Sequence, residues 1–380
     1  MPAHLALDGP GAAGKVPAVS SSSKPFDPGA PALGAGIFGL SHTPEEARVV
    51  LIPVPWEPTT SYGRGTVRGP AAILHASGQL DLFDLQTGRP YEAGIAMLPV
   101  DPDILRWNAE ACAAAEPIIA VGGEVEGDPD LVARLEAVNA LSVQLNERVA
   151  AIARSYLEQG KIVGVVGGDH ASPYGSILAH AERYPELGLL HIDAHADLRC
   201  AYEGFTFSHA SVIYNVVTQL PQVTRVVQVG QRDLSEEEFA FVEASKGRVV
   251  AHFDPVIADR LHAGESFHKI ADEILDPLPR DVYVTFDIDG LDPALCPHTG
   301  TPVPGGLSFQ QAVALLARLQ RSGRRIVGFD LNEVSPGPSF GVAGTEGKDP
   351  LTAHRDEWDA NVGARMLYKL IGFTLLSQRA

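Results

Sequence analysis

Cysteine is nearly missing from this chain: 380 residues hold three, Cys112, Cys200 and Cys296. So odd and sparse a set excludes a disulfide framework and fits a reducing compartment, so the expected location is cytoplasmic. Long apolar runs are missing too. None approaches the ~20 residues needed to cross a bilayer, so no membrane partner is expected. The opening residues, Met1 to Asp8, lack a basic segment followed by an apolar one, and no secretory signal is expected. Positive charge is scarce: Lys and Arg number 29 against 47 Asp and Glu, for a net charge of −18. No basic stripe stands out, which argues against a nucleic-acid partner. An acidic surface can instead draw a cationic small molecule. Apolar residues at 45% and charged residues at 20% are ordinary for a globular chain.

What the chain does have is a short, branched apolar run, Leu187-Gly-Leu-Leu-His-Ile192, of the kind that forms a buried parallel strand. It leads into Asp193-Ala-His-Ala-Asp197. Alternate side chains of an extended backbone point the same way, so Asp193, His195 and Asp197 project together. They emerge where the strand ends, which is where open α/β sheets place their sites. Two carboxylates and an imidazole crowded there repel one another or stay undersolvated unless a cation neutralises them. A metal site follows.

Residues 1–35 are rich in Gly, Pro, Ala and Ser, which is linker composition. An N-terminal extension over 1–45, partly disordered, is expected before one catalytic domain over 46–380. Strands are predicted at 47–54, 95–98, 161–166, 187–192, 225–229, 248–252, 281–286 and 325–331. Helices are predicted from Pro70, from Asp128 to Gly160, at 172–183, 210–219 and 265–275, after Ser308, and over 355–375. Residues 85–127 read only as the short strand and turns. Strands alternating with helices argue for a parallel sheet covered on both faces.

Several strands end in polar clusters: Asp169 and His170, the 193–197 motif, Asp287 and Asp289, and Glu333. Right-handed crossovers put these ends on one edge of the sheet, so they can meet. The candidate ligands are His170, Asp193, His195, Asp197, Asp287 and Asp289, with no thiolate. Imidazole mixed with carboxylate suits Mn²⁺ and similar ions more than a structural Zn²⁺. Four carboxylates are too many for one catalytic ion with an open position. They fit two ions, which at ~3.5–4 Å separation lower the pKa of water held between them.

The motifs Gly167-Gly-Asp-His170, Asp193-Ala-His-Ala-Asp197 and Phe286-Asp-Ile-Asp-Gly-Leu-Asp-Pro293 resemble, in order and spacing, those of the ureohydrolase family of arginase, agmatinase and relatives. The likeness covers residues 47–375. It implies a three-layer α/β/α fold with an eight-stranded parallel sheet. It also implies two divalent ions, Mn²⁺ first and Ni²⁺ as the alternative, and a homo-oligomer, trimer or hexamer. By the same resemblance Asp193 and Asp287 bridge the ions, His170 and Asp197 complete one set, and His195 and Asp289 complete the other. Asp169 and Asp292 are expected beside the ligands and not among them. His209 matches the family histidine that passes a proton to the leaving amine. Glu333 matches the glutamate that pairs with the substrate guanidinium, for which a carboxylate is the natural bidentate partner. Asp193, His209 and Glu333 form the expected catalytic set, with His209 and Glu333 also binding substrate.

The sequence departs from the family pattern at three places. Glu57 stands where relatives carry Asp, and Leu74 where they carry Arg. No polar loop for an amino acid's α-carboxylate follows Asp197; Leu198-Arg-Cys-Ala-Tyr-Glu-Gly-Phe-Thr-Phe-Ser208 stands there instead. This favours the agmatinase-like branch, with a small guanidino substrate cleaved to urea and an amine. The bulky Tyr202–Phe207 segment and the long N-terminal stretch are also similar to relatives that hydrolyse free guanidine with nickel. A formimino-amino-acid hydrolase and an inactive metal-binding paralogue are the remaining alternatives.

Overall fold

The computed structural model of the protein describes residues 28–29, 36–338, 340 and 357–379. The disorder expected over 1–35 falls almost wholly outside the described residues. Strands β1 (Val49–Val54), β2 (Ile95–Met97), β3 (Ile162–Gly167), β4 (Leu187–Ile192), β5 (Val223–Val229), β6 (Val249–His252), β7 (Asp281–Phe286) and β8 (Arg325–Leu331) form one eight-stranded sheet in the order β2-β1-β3-β8-β7-β4-β5-β6. Every pairing is parallel. The inner strands are buried along their length, so their Val, Ile and Leu runs show little polar alternation.

Helices cover both faces, giving the three layers. On one face Gly69–Ser77, Phe267–Leu275, Phe309–Arg321 and Trp358–Ser377 pack over Leu190, Ile192, Val284 and Phe286. On the other, Pro102–Ala120, Pro129–Glu158, Tyr174–Arg183 and Val212–Gln219 cover Val163, Val165, Leu187 and Leu189. Ile37, Phe38 and Leu40 also enter the first core, where the Phe38 ring lies 4.8 Å from that of Tyr368. Among the described residues, no helix is long and apolar enough to cross a membrane. All three cysteines are free.

Helix Pro102–Ala120 corrects the reading of 85–127 as little more than turns. It starts like its neighbour Pro129–Glu158: Asp101 caps Asp103 N, as Asp128 caps Asp130 N and Leu131 N, each with Pro in the first turn. Pro117, near its far end, hides the helical pattern. The short helices Glu236–Ala244 and Asp254–His262 were also missing from the sequence reading.

A slip in β8 turns one strand end toward the site. Val282 pairs with Ile326 but Tyr283 pairs with Gly328, so Val327 is an extra residue. One extra residue reverses the inside–outside alternation beyond it. Phe329 and Leu331 then join the first core, and the Asp330 carboxylate lies against Thr285 of β7, accepting its hydroxyl at 2.9 Å.

Candidate metal centre

The ends of β3, β4, β7 and β8 meet at one edge of the sheet. The close approach leaves no room for side chains at certain glycines. A Cβ on Gly290 would lie 2.7 Å from Asp193 N, and one on Gly168 would lie 2.1 Å from Trp56 O. Two non-glycine residues here have left-handed backbones, Asp197 at φ 54° and Glu333 at φ 61°. Such conformations cost free energy and persist only where surrounding contacts impose them.

Five of the six sequence-predicted ligands, all but Asp287, fall into two groups that share Asp193, and His191, not expected from the sequence, joins the first. His170, His191, Asp193 and Asp197 form one group able to hold a metal ion, and Asp193, His195 and Asp289 form the other. His170 Nδ1 lies 2.8 Å from Asp193 Oδ2, 3.2 Å from Asp197 Oδ2 and 3.3 Å from Asp287 Oδ2. His195 Nδ1 lies 3.0 Å from Asp289 Oδ2 and 3.4 Å from Asp193 Oδ1. The two oxygens of Asp193 thus face different groups. Asp287 stands by the first through His170, and its Oδ1 accepts Asp289 N at 2.8 Å.

The electrostatics show a surplus of negative charge. Burial, then the Asp289 and Asp193 charges, push Asp287 well above the usual carboxylate range. Burial and Asp193 push Asp197 up to about 6. Burial opposes charge on His195, but Asp289 and Asp193 outweigh it and raise the ring to about 12. Burial likewise opposes charge on His170, and Asp193, Asp197 and Asp287 again prevail. Only Asp193 is held well below its usual range. Burial works against it, and the neighbouring His191 and His170 imidazoles prevail. Asp197 Oδ2 is buried without a hydrogen-bond donor. Crowded carboxylates that drag imidazoles upward, with one oxygen orphaned, are a setting that a cation relieves. The donor set therefore fits metal.

Glu333 is 5% exposed. Its Oε1 accepts His170 N at 3.0 Å, while Oε2 is buried and has no hydrogen-bond donor. Burial, then the charges of Asp169 and Asp289, raise its pKa well above the ordinary value. His209 is partly buried at the start of a helical turn. Desolvation, aided by His195 and His170, holds it at about 4, so its ring is neutral near pH 7. Asp292 caps Ala294 N instead of joining either group.

Thr59 and Asn139 were not singled out in the sequence. The hydroxyl of Thr59 meets His209 Nδ1 at 3.2 Å and Asp169 Oδ2 at 3.2 Å, and it accepts His209 N at 3.1 Å. Glu57, one of the three departures from the family pattern, folds the loop after β1: its Oε2 accepts Gly65 N at 2.8 Å and Val67 N at 3.0 Å. Residues 202–205 make a tight turn, with Tyr202 and Phe205 exchanging backbone hydrogen bonds and Glu203 and Gly204 both at positive φ. The Tyr202 ring lies edge-on to His209 at 5.6 Å. Phe205 is buried against Ala115, Ile118 and Val138, and Asn139 donates to Gly204 O and accepts Thr206 N. The Glu203-Gly204 pair is the one local signal that could have revealed this turn.

A parallel α/β/α sheet that gathers buried imidazoles and carboxylates at one edge defines an enzyme with a candidate metal centre. Residues 47–341 match the arginase family. The N(1)-aminopropylagmatine ureohydrolase of Thermus thermophilus is 38% identical over 307 residues, covering 80% of this chain and 88% of that relative. The agmatinase of Bacillus anthracis is 29% identical over 315 residues, covering 79% and 88%. In fold, the chain superposes on the agmatine ureohydrolase of Thermoplasma volcanium with a TM-score of 0.64 at 23% identity, covering 89% of this chain and 93% of that one. The chain belongs to the arginase family and is a ureohydrolase, acting on C–N bonds of guanidino compounds.

Proposed function

We propose that the chain hydrolyses a small guanidino compound carrying an amine tail, of the agmatine type, to urea and an amine at a two-metal centre. The observation that carries this reading is Asp193, whose two oxygens face two separate groups of ligands. His170, Asp197 and Asp287 would hold one ion, and His195, Asp289 and Asp287 the other, with Asp193 common to both. Two bound ions, Mn²⁺ on this donor chemistry, supply a water activated as nucleophile and neutralise the carboxylates. The chain's own groups do the rest. Glu333 Oε2, unpaired and buried, accepts N–H groups of the guanidinium and orients its carbon. His209, neutral at rest, would take up the proton released as the nucleophile adds and pass it to the departing amine, which leaves poorly as an anion. The tight turn at 202–205 forms a wall beside His209.

The similarity to agmatinases and to an N(1)-aminopropylagmatine ureohydrolase supports an amine-bearing tail. A second reading, hydrolysis of free guanidine with Ni²⁺, draws on the Tyr202 ring set against His209, which narrows the space there. The assembly expected is a trimer or hexamer of this chain in the cytoplasm, to be measured by light scattering. The deciding experiment is urea release from agmatine, N(1)-aminopropylagmatine, guanidinobutyrate, arginine and guanidine, each with Mn²⁺ and with Ni²⁺. Urea from the amine-tailed compounds is expected. No urea from any compound would overturn the reading, and formamide as product from a formimino compound would replace it.

A further inference from the structure

His170 and His191 lie side by side, ring centroids 5.2 Å apart, and each has a nitrogen 2.8 Å from Asp193 Oδ2. Both are fully or nearly fully buried. A neutral imidazole offers one N–H and one lone pair. The partner of the far nitrogen decides which of them faces the carboxylate. For His170 the far nitrogen is Nε2, 2.9 Å from Thr285 Oγ1. The Thr285 hydroxyl gives its hydrogen to Asp330 Oδ1 at 2.9 Å, so it accepts from His170 Nε2–H. Nδ1 is then the nitrogen that faces the cluster, and its proton is the one a bound cation would displace.

His191 has the opposite arrangement. Its far nitrogen, Nδ1, meets Gln228 Nε2 at 3.0 Å. The Gln228 amide cannot be turned over, because the same nitrogen donates to Ala196 O at 2.7 Å, where an amide oxygen would face another oxygen. Nδ1 is therefore the acceptor and the proton sits on Nε2, which donates to Asp193 Oδ2.

We propose that His191 is no metal ligand but the hydrogen-bond donor that orients the shared carboxylate Asp193, with Gln228 fixing its tautomer. His191 is then a positioning residue, and one extra donor holds the oxygen on which the first group converges. The inference rests on the metal-centre reading above.

The test is calorimetric titration of Mn²⁺ into the chelator-stripped full chain. His191→Gln keeps an N–H donor but is a poor ligand. It is expected to bind two ions with affinities within about threefold of the unsubstituted chain. His191→Phe removes the donor and is expected to weaken binding by ~10–100-fold. Gln228→Leu, which leaves the imidazole in place, is expected to weaken it in the same direction and carries the test if the Phe variant does not fold. Nitrogen-15 shifts of His191 in the stripped chain should show the Nε2–H tautomer. Loss of one bound ion in His191→Gln would make His191 a ligand and overturn the proposal. Unchanged binding in both His191→Phe and Gln228→Leu would deny it any role. Failure of the underlying reading looks different: Asp193→Asn would then bind Mn²⁺ as tightly as the unsubstituted chain.

Discussion

Asp193 and His209 lie in the same candidate site, yet the chain holds them by different means. Asp193 directly follows a strand paired on both sides, and its neighbours in the cluster also lie just past strand ends. Its position follows from the register of the sheet. His209 follows a long loop, and what fixes it comes from elsewhere: Thr59 from the loop after β1, and the 202–205 turn pinned by Phe205 and Asn139 to helices Pro102–Ala120 and Pro129–Glu158. The ligand region is built by local pattern on a rigid scaffold, and the wall facing it is built by tertiary support. Substitutions in the two regions should therefore fail in different ways.

The largest effect is expected at the ligand region. Asp193→Asn should lose metal content, read by elemental analysis, together with urea release, and by more than the ~100-fold that loss of an outer-shell partner costs. His209→Ala should lower kcat by ~10²–10⁴-fold while metal content stays intact. If its metal content fell too, the two regions would not be separable. Thr59→Val removes a hydroxyl but keeps the shape. It should lower kcat by about 10-fold with little change in KM, and Thr59→Ser should recover most of the loss. Equal loss in both Thr59 variants would make its role one of packing. The smallest effect is expected at Asn139→Ala, far from the chemistry. About 1 kcal/mol of stability should be lost in thermal melts, with a rise of a few-fold in KM and an unchanged metal content.

The same contrast explains what could be read without a structure. Asp193, His195 and Asp197 are legible because alternation along a strand is a property of neighbouring residues. The strands were legible because buried parallel strands are continuous apolar runs. Thr59 was not: its partners Asp169 and His209 lie 110 and 150 residues away in sequence, and no local pattern links them. His191 was hidden for another reason. It sits inside a buried strand, where a histidine is commonly a satisfied core residue, and only the Gln228 and Asp193 contacts give it a direction. Helix Pro102–Ala120 went unread through its alanine-rich stretch and Pro117, although its Asp-Pro start matched that of the next helix. That helix supplies Ala115 and Ile118 to the cradle of Phe205, so missing it also hid the support of the turn.

Glu333 has a consequence for engineering. Its backbone sits at φ 61°, where glycine is relaxed and a branched-off Cβ is not. The penalty is roughly 1–3 kcal/mol, comparable to what most stabilising substitutions recover. Glu333→Gly would relieve that strain, but it would also leave the buried His170 N–H without its acceptor and remove the carboxylate proposed to orient the guanidinium. Thermal screening of this chain needs a turnover assay beside it, because at this position any change in stability carries a change in the candidate site with it.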